Sequence, residues 1–172
     1  RGENGHLAIG RRDETAKKNV WVEPEKLSAY FRECETYVDQ YTNIGMLGLI
    51  YSGFAFSREK EAVFNGNCFS CIYLNADVKA RHDTTVVDDV DFAMQVLTEG
   101  WVTVNLNRYV MDKKNNIGGG ISDEYATGRI KAKMHAHCLK WPGQFAYHEV
   151  YRMERVRSFR RKPSRAWGKL MQ

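Results

Sequence analysis

The sequence predicts an α/β layer fold, because short apolar runs alternate with segments whose apolar residues recur at helical spacing. Two stretches carry that reading. Gly45-Met46-Leu47-Gly48-Leu49-Ile50-Tyr51 is short and continuously apolar, as a strand buried on both faces should be. Leu27, Tyr30, Phe31, Cys34, Tyr37, Val38 and Tyr41 recur in steps of three and four, as the buried face of a helix should. Composition agrees: 43% hydrophobic and 27% charged residues are enough for a packed core and argue against wholesale disorder.

Residues 1–20 are polar and glycine-bearing with no period, so a flexible N-terminal segment is expected there. Pro24 suits the first turn of the helix that follows, where its missing N–H removes no bond. The glycines of the run at 45–51 allow another group to approach the backbone closely. Phe69 to Leu74 reads as a further strand. Val86-Val87 leads into Asp88, a good N-cap type. Phe92, Ala93, Val96 and Leu97 then outline a helix that Gly100 ends. Trp101 to Leu106 alternates as a half-buried strand does. Residues 112–120 read as a loop. Ala126, Ile130, Met134, His137 and Cys138 outline one further long helix, stopped by Pro142-Gly143. The expected division is a flexible segment over 1–20, a folded domain over 21–150 and a basic segment over 151–172.

No apolar run approaches the about 20 residues a bilayer requires. No secretory leader is legible, so a cytoplasmic setting with Cys34, Cys68, Cys71 and Cys138 reduced is expected. Net charge is +5. Much of the excess lies in Arg152, Arg155, Arg157, Arg160, Arg161, Lys162, Arg165 and Lys169, interleaved with Tyr151, Phe159 and Trp167. That pattern suits a polyanion, with Arg157, Arg160 and Arg161 as candidate DNA contacts. A solvated basic face would give the same composition.

The strongest chemical feature is Val86-Val87-Asp88-Asp89-Val90-Asp91-Phe92, which packs three carboxylates into a strand-to-helix turn. Asp88 and Asp91 are three apart and are expected on one helix face. Asp89 falls in the first turn, where the helix dipole favours an anion. Plain helix capping produces the same pattern.

The stretch DDVDFAMQVLTEGWVTVNLNRYV resembles the acidic motif of GT-A glycosyltransferases, in which an acidic pair opens a helix beside the acceptor and a Gly-aromatic-x-Thr strand follows. Here these are Asp88-Asp89 and Gly100-Trp101-Val102-Thr103. Gly118-Gly119-Gly120 and Tyr125 follow, and Tyr41-Thr42-Asn43-Ile44-Gly45 and Asn75-Ala76-Asp77 precede. In this order the pieces are similar to the TET-associated glycosyltransferase family of phages and eukaryotes. The resemblance implies an α/β, GT-A-like fold, or its C-terminal, acceptor-side half alone. It implies transfer of a sugar from a nucleotide-sugar donor to a hydroxymethylated pyrimidine in DNA. It also implies Mn²⁺ or Mg²⁺ on the donor diphosphate, although the segment before Leu7 holds no Asp-x-Asp to bind one. Carried over by position, Asp89 matches the catalytic base, Asp88 its acidic partner, and Asp91 a supporting or acceptor-positioning carboxylate.

Three further candidates complete the sequence reading. Backbone amides of Gly118, Gly119 and Gly120 could cradle the donor phosphate. His135 and His137 project about 200° apart on a helix, so only one can face a given site. His137 lies on the apolar face and reads as a core residue, which leaves His135 as the candidate metal ligand. Cys68 and Cys71 could belong to a zinc site completed by His135 or Cys138, which would suit a non-catalytic nucleic-acid-binding domain instead. In a strand, however, residues three apart face opposite sides, which favours buried thiols.

Overall fold

The computed structural model describes residues 7–57, 60–69, 71–113, 122–150, 152–157 and 162–165. Strands β1 (Leu7–Asp13), β2 (Lys18–Trp21), β3 (Ile44–Tyr51), β4 (Ala62–Phe64), β5 (Ile72–Leu74) and β6 (Val102–Lys113) form one mixed sheet. Its order is β2-β1-β6-β3-β5, with β4 also on β6. The central pair, β3 and β6, is parallel, and β1, β4 and β5 join it antiparallel.

Helix α1 (Leu27–Val38) covers one face. Its Tyr30 and Cys34 pack with Leu47, Leu49, Val104, Leu106 and Met111. Helix α2 (Asp88–Thr98) covers the other, placing Phe92, Ala93 and Val96 against Met46 and Cys68. The remaining apolar side of α2, Val90 and Met94, packs against Phe145 and Met153. These come from a C-terminal layer of α3 (Ser122–Ala126), α4 (Arg129–Lys140), β7 (Phe145–His148) and β8 (Arg152–Arg155). Helix α2 is therefore enclosed from two directions, which is why so many of its positions are apolar.

The glycines of β3 do what their sequence suggests. A Cβ on Gly45 would lie 2.6 Å from the Trp101 side chain, and one on Gly48 would lie 2.7 Å from Cys68 Cβ. Both neighbours lie directly on the strand backbone, and no larger residue fits at either position.

Several expectations are corrected. Within the segment expected to be flexible, β1 and β2 form an antiparallel hairpin, and β1 pairs with β6. The strand expected from Phe69 begins only at Ile72. The strand expected to end at Leu106 runs to Lys113, so Asp112 and Lys113 belong to β6 and not to a loop. The single long helix is two, split at Gly128, whose φ of 72° lies in the left-handed region. Part of the basic C-terminal segment is strand, since β8 pairs with β7. Gly118, Gly119 and Gly120 lie outside the described residues.

Candidate functional site

The acidic trio opens α2, but its members occupy three different environments. Val87, not Asp88, is the N-cap, and Asp88 is the first helical residue. Asp88 is exposed, and its Oδ1 accepts the Asp89 N–H at 3.0 Å. Asp89 is half-buried, and its Oδ1 accepts the Val90 N–H at 2.8 Å. The two side chains thus meet first-turn donors that have no partner inside the helix. Asp91 is 0% exposed. Asp88 and Asp91 keep the expected three-residue helical spacing in α2, but a further element closes over Asp91 alone.

That element is the end of α4. Trp141 Nε1 donates to Asp91 Oδ1 at 2.7 Å, Lys140 Nζ to Oδ2 at 3.0 Å, and Gln95 Nε2 to Oδ2 at 2.6 Å. Lys140 also reaches Asp83 at 2.8 Å. Its partial burial alone would disfavour the ammonium, but the hydrogen bonds to Asp83 and Asp91 outweigh this and raise its pKa. Asp83, bound by Lys140 and Thr85, is held well below the usual carboxylate range. A buried carboxylate with three donors is a structural tie. Asp91 locks α2 to the C-terminal layer, and its full burial keeps it out of reach of a substrate proton.

Asp89 differs. Burial raises its pKa first and the neighbouring Asp88 charge adds to this, against the opposing Val90 N–H. A raised carboxylate pKa brings a base closer to working pH and makes it a better proton acceptor. Of the trio, Asp89 is partly desolvated, raised in basicity and free of any ion pair among the described residues.

Sequence reasoning missed a row of polar residues on β6. Thr103 Oγ1 donates to the Gly66 carbonyl at 2.6 Å, Asn105 Nδ2 to Asn67 at 2.7 Å, and Asn107 Nδ2 to Lys60 at 2.7 Å. They hold the stretch from Lys60 to Asn67, which includes β4, along β6. From the C-terminal layer, Arg155 Nη1 donates to the Asn65 carbonyl at 3.0 Å. The signal was present, since polar residues alternate from Thr103 to Asn107. Such alternation predicts a half-exposed face, whereas Thr103 and Asn107 are buried and satisfied by main-chain carbonyls.

The histidines divide as expected. His137 is buried and packs edge-on against Phe145, with ring centroids 4.5 Å apart. Neither of its ring nitrogens has a partner, and burial pushes its pKa down to about 4. His135 is exposed and lies against Tyr147, with ring centroids 3.7 Å apart. Among the described residues no three His, Cys, Asp or Glu side chains converge as metal ligands. Cys68 packs on the α2 side and Cys71 against the α1 side. Burial raises both thiols, Cys68 to about 12, so neither favours the thiolate that zinc binds.

Of the candidate DNA contacts, Arg157 is exposed just beyond β8, and Arg160 and Arg161 lie outside the described residues. Nearby, Ser164 N–H donates to Asn43 Oδ1 at 2.7 Å, and the Arg165 guanidinium lies 5.1 Å from the centre of the Tyr41 ring. Residues 162–165 are therefore tied to the turn before β3. No helix among the described residues is long and apolar enough to cross a membrane.

A mixed sheet around a parallel pair, flanked by helices and with a carboxylate pair opening one of them, is an α/β domain of the kind expected for part of a glycosyltransferase. The sequence model of the family described as TET-Associated Glycosyltransferase matches residues 6–120, and the chain belongs to that family. The match covers β1 to β6 and all of α2. Membership implies a sugar donor and an acceptor. No curated protein and no solved structure matches the chain.

Proposed function

We propose that the domain takes part in moving a sugar from a nucleotide-sugar donor to a hydroxymethylated pyrimidine in DNA, with Asp89 as general base. The observation that carries this reading is the environment of Asp89 within a matched glycosyltransferase domain: half-buried, raised in pKa by burial and by Asp88, and unpaired by any cation among the described residues.

In this reading Asp89 accepts the proton of the acceptor hydroxyl as its oxygen attacks the anomeric carbon. The new carbon–oxygen bond forms while the bond to the donor diphosphate breaks, so the nucleoside diphosphate leaves with the bonding electrons. Asp88 keeps Asp89 basic through its negative charge. Asp91 takes no proton; it holds α2, and with it Asp89, against Trp141 and Lys140. Gly118, Gly119 and Gly120 remain the proposed donor-phosphate contact, and Arg157, Arg160 and Arg161 the proposed contacts to DNA phosphate. Mn²⁺ or Mg²⁺ would neutralise the departing diphosphate. The described residues, His135 included, do not form its site, so no step here is routed through it.

The test is Asp89→Asn, which keeps the shape and removes the proton acceptor. Sugar transfer should fall about 100- to 10,000-fold, the usual worth of a general base, with thermal stability unchanged. Wild-type activity should decline with falling pH through a pKa raised from the ordinary Asp value, because Asp89 must be ionised to act. Near-normal turnover in Asp89→Asn would remove it from the chemistry.

A further inference from the structure

A cavity of about 380 Å³ opens beside the C-terminal end of β3. Outside the C-terminal ends of parallel strands is where open α/β sheets place their ligands. Tyr51, Phe54, Phe69, Asn67, Asn105 and Asn107 are among its walls, and among the described residues no charged side chain lines it. Its size falls in the range of small-ligand sites, about 300–1,000 Å³.

Two features of the wall go unexplained by folding alone. Phe54 is 60% and Phe69 38% exposed, so two phenyl rings stand in water at one opening. Exposed aromatic faces at a concave site are available for stacking. Asn67 Oδ1 is buried with no hydrogen-bond partner, which leaves an acceptor in need of a donor. The wall itself is firmly held. Asn105 fixes the Asn67 carbonyl, Thr103 fixes that of Gly66, and Cys68 anchors the same stretch against Phe92 of α2.

Flat stacking surfaces, an unmet acceptor and walls without charge among the described residues describe a site for a neutral planar heterocycle bearing an N–H. They do not suit a diphosphate, which requires cationic or metal partners. Enzymes that modify a base within nucleic acid take it out of the stack and read it by such contacts. Resting on the acceptor reading above, we propose that this cavity receives the unpaired pyrimidine base of the acceptor strand. The base stacks on Phe54 or Phe69 and donates an N–H to Asn67, while its phosphates stay outside in solvent.

The test compares binding of the full chain to three probes. These are a single strand carrying one 5-hydroxymethylcytosine, the same strand abasic at that position, and free nucleoside diphosphates. Phe54→Ala and Phe69→Ala remove exposed rings, so folding should be unaffected. At least one should weaken the base-bearing strand about tenfold, as loss of an aromatic stacking platform does. Asn67→Ala should weaken it further than Asn67→Asp, which keeps an acceptor. Affinity for the abasic strand and for nucleoside diphosphates should not change. Wild-type affinity equal for base-bearing and abasic strands would overturn the proposal, as would unaltered binding in all the variants. A selective loss of nucleoside diphosphate binding would overturn it too, assigning the cavity to the donor's base. Because the readout is binding, a chain that discriminates the base yet transfers no sugar would refute the catalytic role of Asp89 and leave the cavity assignment intact.

Discussion

The two sides of the central sheet are built by different means. On the α1 side, Tyr30, Leu47, Leu49, Val104, Leu106 and Met111 interlock as an apolar core, and the buried Tyr30 hydroxyl is met by the Gly10 carbonyl at 2.9 Å. On the α2 side the apolar cluster is smaller, and the glycines of β3 bring Trp101 and the 66–68 segment against the backbone. Much of the cohesion there is polar: Thr103, Asn105 and Asn107 hold the stretch from Lys60 to Asn67, and Asp91 ties two layers together. Apolar packing is tolerant of conditions but offers no chemistry. Hydrogen bonds and charges position groups to within a few tenths of an ångström and depend on pH and on every partner being present. The α1 side is the foundation, and the α2 side carries the groups that could act.

The sharpest test of this contrast is Asp91→Ala. Removing the buried member of this network should cost about 3–5 kcal/mol, because Trp141 Nε1 and Gln95 Nε2 lose their acceptor and Lys140 loses one of its two carboxylate partners. Leu49→Ala on the opposite side should cost a similar amount, about 2–5 kcal/mol, for lost contacts and the cavity left behind. The two losses differ in how they couple to a second change. Lys140 keeps Asp83 as a partner, so adding Lys140→Met to Asp91→Ala should cost less than the sum of the two single changes, a coupling that a double-mutant cycle in urea measures. If Asp91→Ala costs under about 1 kcal/mol, the network is not a structural tie.

How far these sides were legible depended on the distance over which each is specified. Helix α1, strand β3 and helix α2 write their period within a dozen residues, and all three are found close to their expected places. His137 was legible as a core residue for the same reason. The β1–β2 hairpin was not, because its strands carry Arg11, Arg12, Asp13, Lys18 and Asn19 and no clean alternation. The role of Asp91 could not be read at all. Its partners Lys140 and Trp141 lie 49 and 50 positions away, and no local spacing announces them. The trio was therefore visible as a cluster, while the division into a tied Asp91 and a free Asp89 required the fold.

A smaller effect, confined to the α2 side, should come from His137. Its pKa drops from 6.5 to about 4 because burial disfavours the cation, with Lys140 reinforcing this and Asp91 opposing it. Below pH 6.5 the unfolded chain takes up a proton that the folded chain refuses until about pH 4. Stability is therefore fully present above about pH 6.5 and falls as pH drops towards 4, by about 3 kcal/mol in all. In His137→Leu that part of the acid sensitivity should vanish, so the slope of stability against pH between these limits becomes shallower. An unchanged slope would mean that other groups set the acid limit of this side.

The smallest effect concerns the surface beyond β8. Arg157 is exposed there and follows the strand whose Met153 and Arg155 pack onto α2, so it belongs to the α2 side. Arg32 is exposed on α1 and belongs to the other. If DNA is the acceptor, its phosphates should meet the side that carries Asp89 and the cavity. Each phosphate that an arginine neutralises releases condensed counterion, which contributes about 0.9 to the slope of log affinity against log salt on duplex DNA. Arg157→Gln should therefore weaken duplex binding modestly at low salt and reduce that slope by about 0.9, with no dependence on sequence. Arg32→Gln should change neither quantity, because α1 turns away from the acceptor. Titrations at two salt concentrations separate the outcomes. Equal losses at both positions would mean that net charge alone draws the chain to DNA, and that the division of labour between the two sides ends at the protein surface.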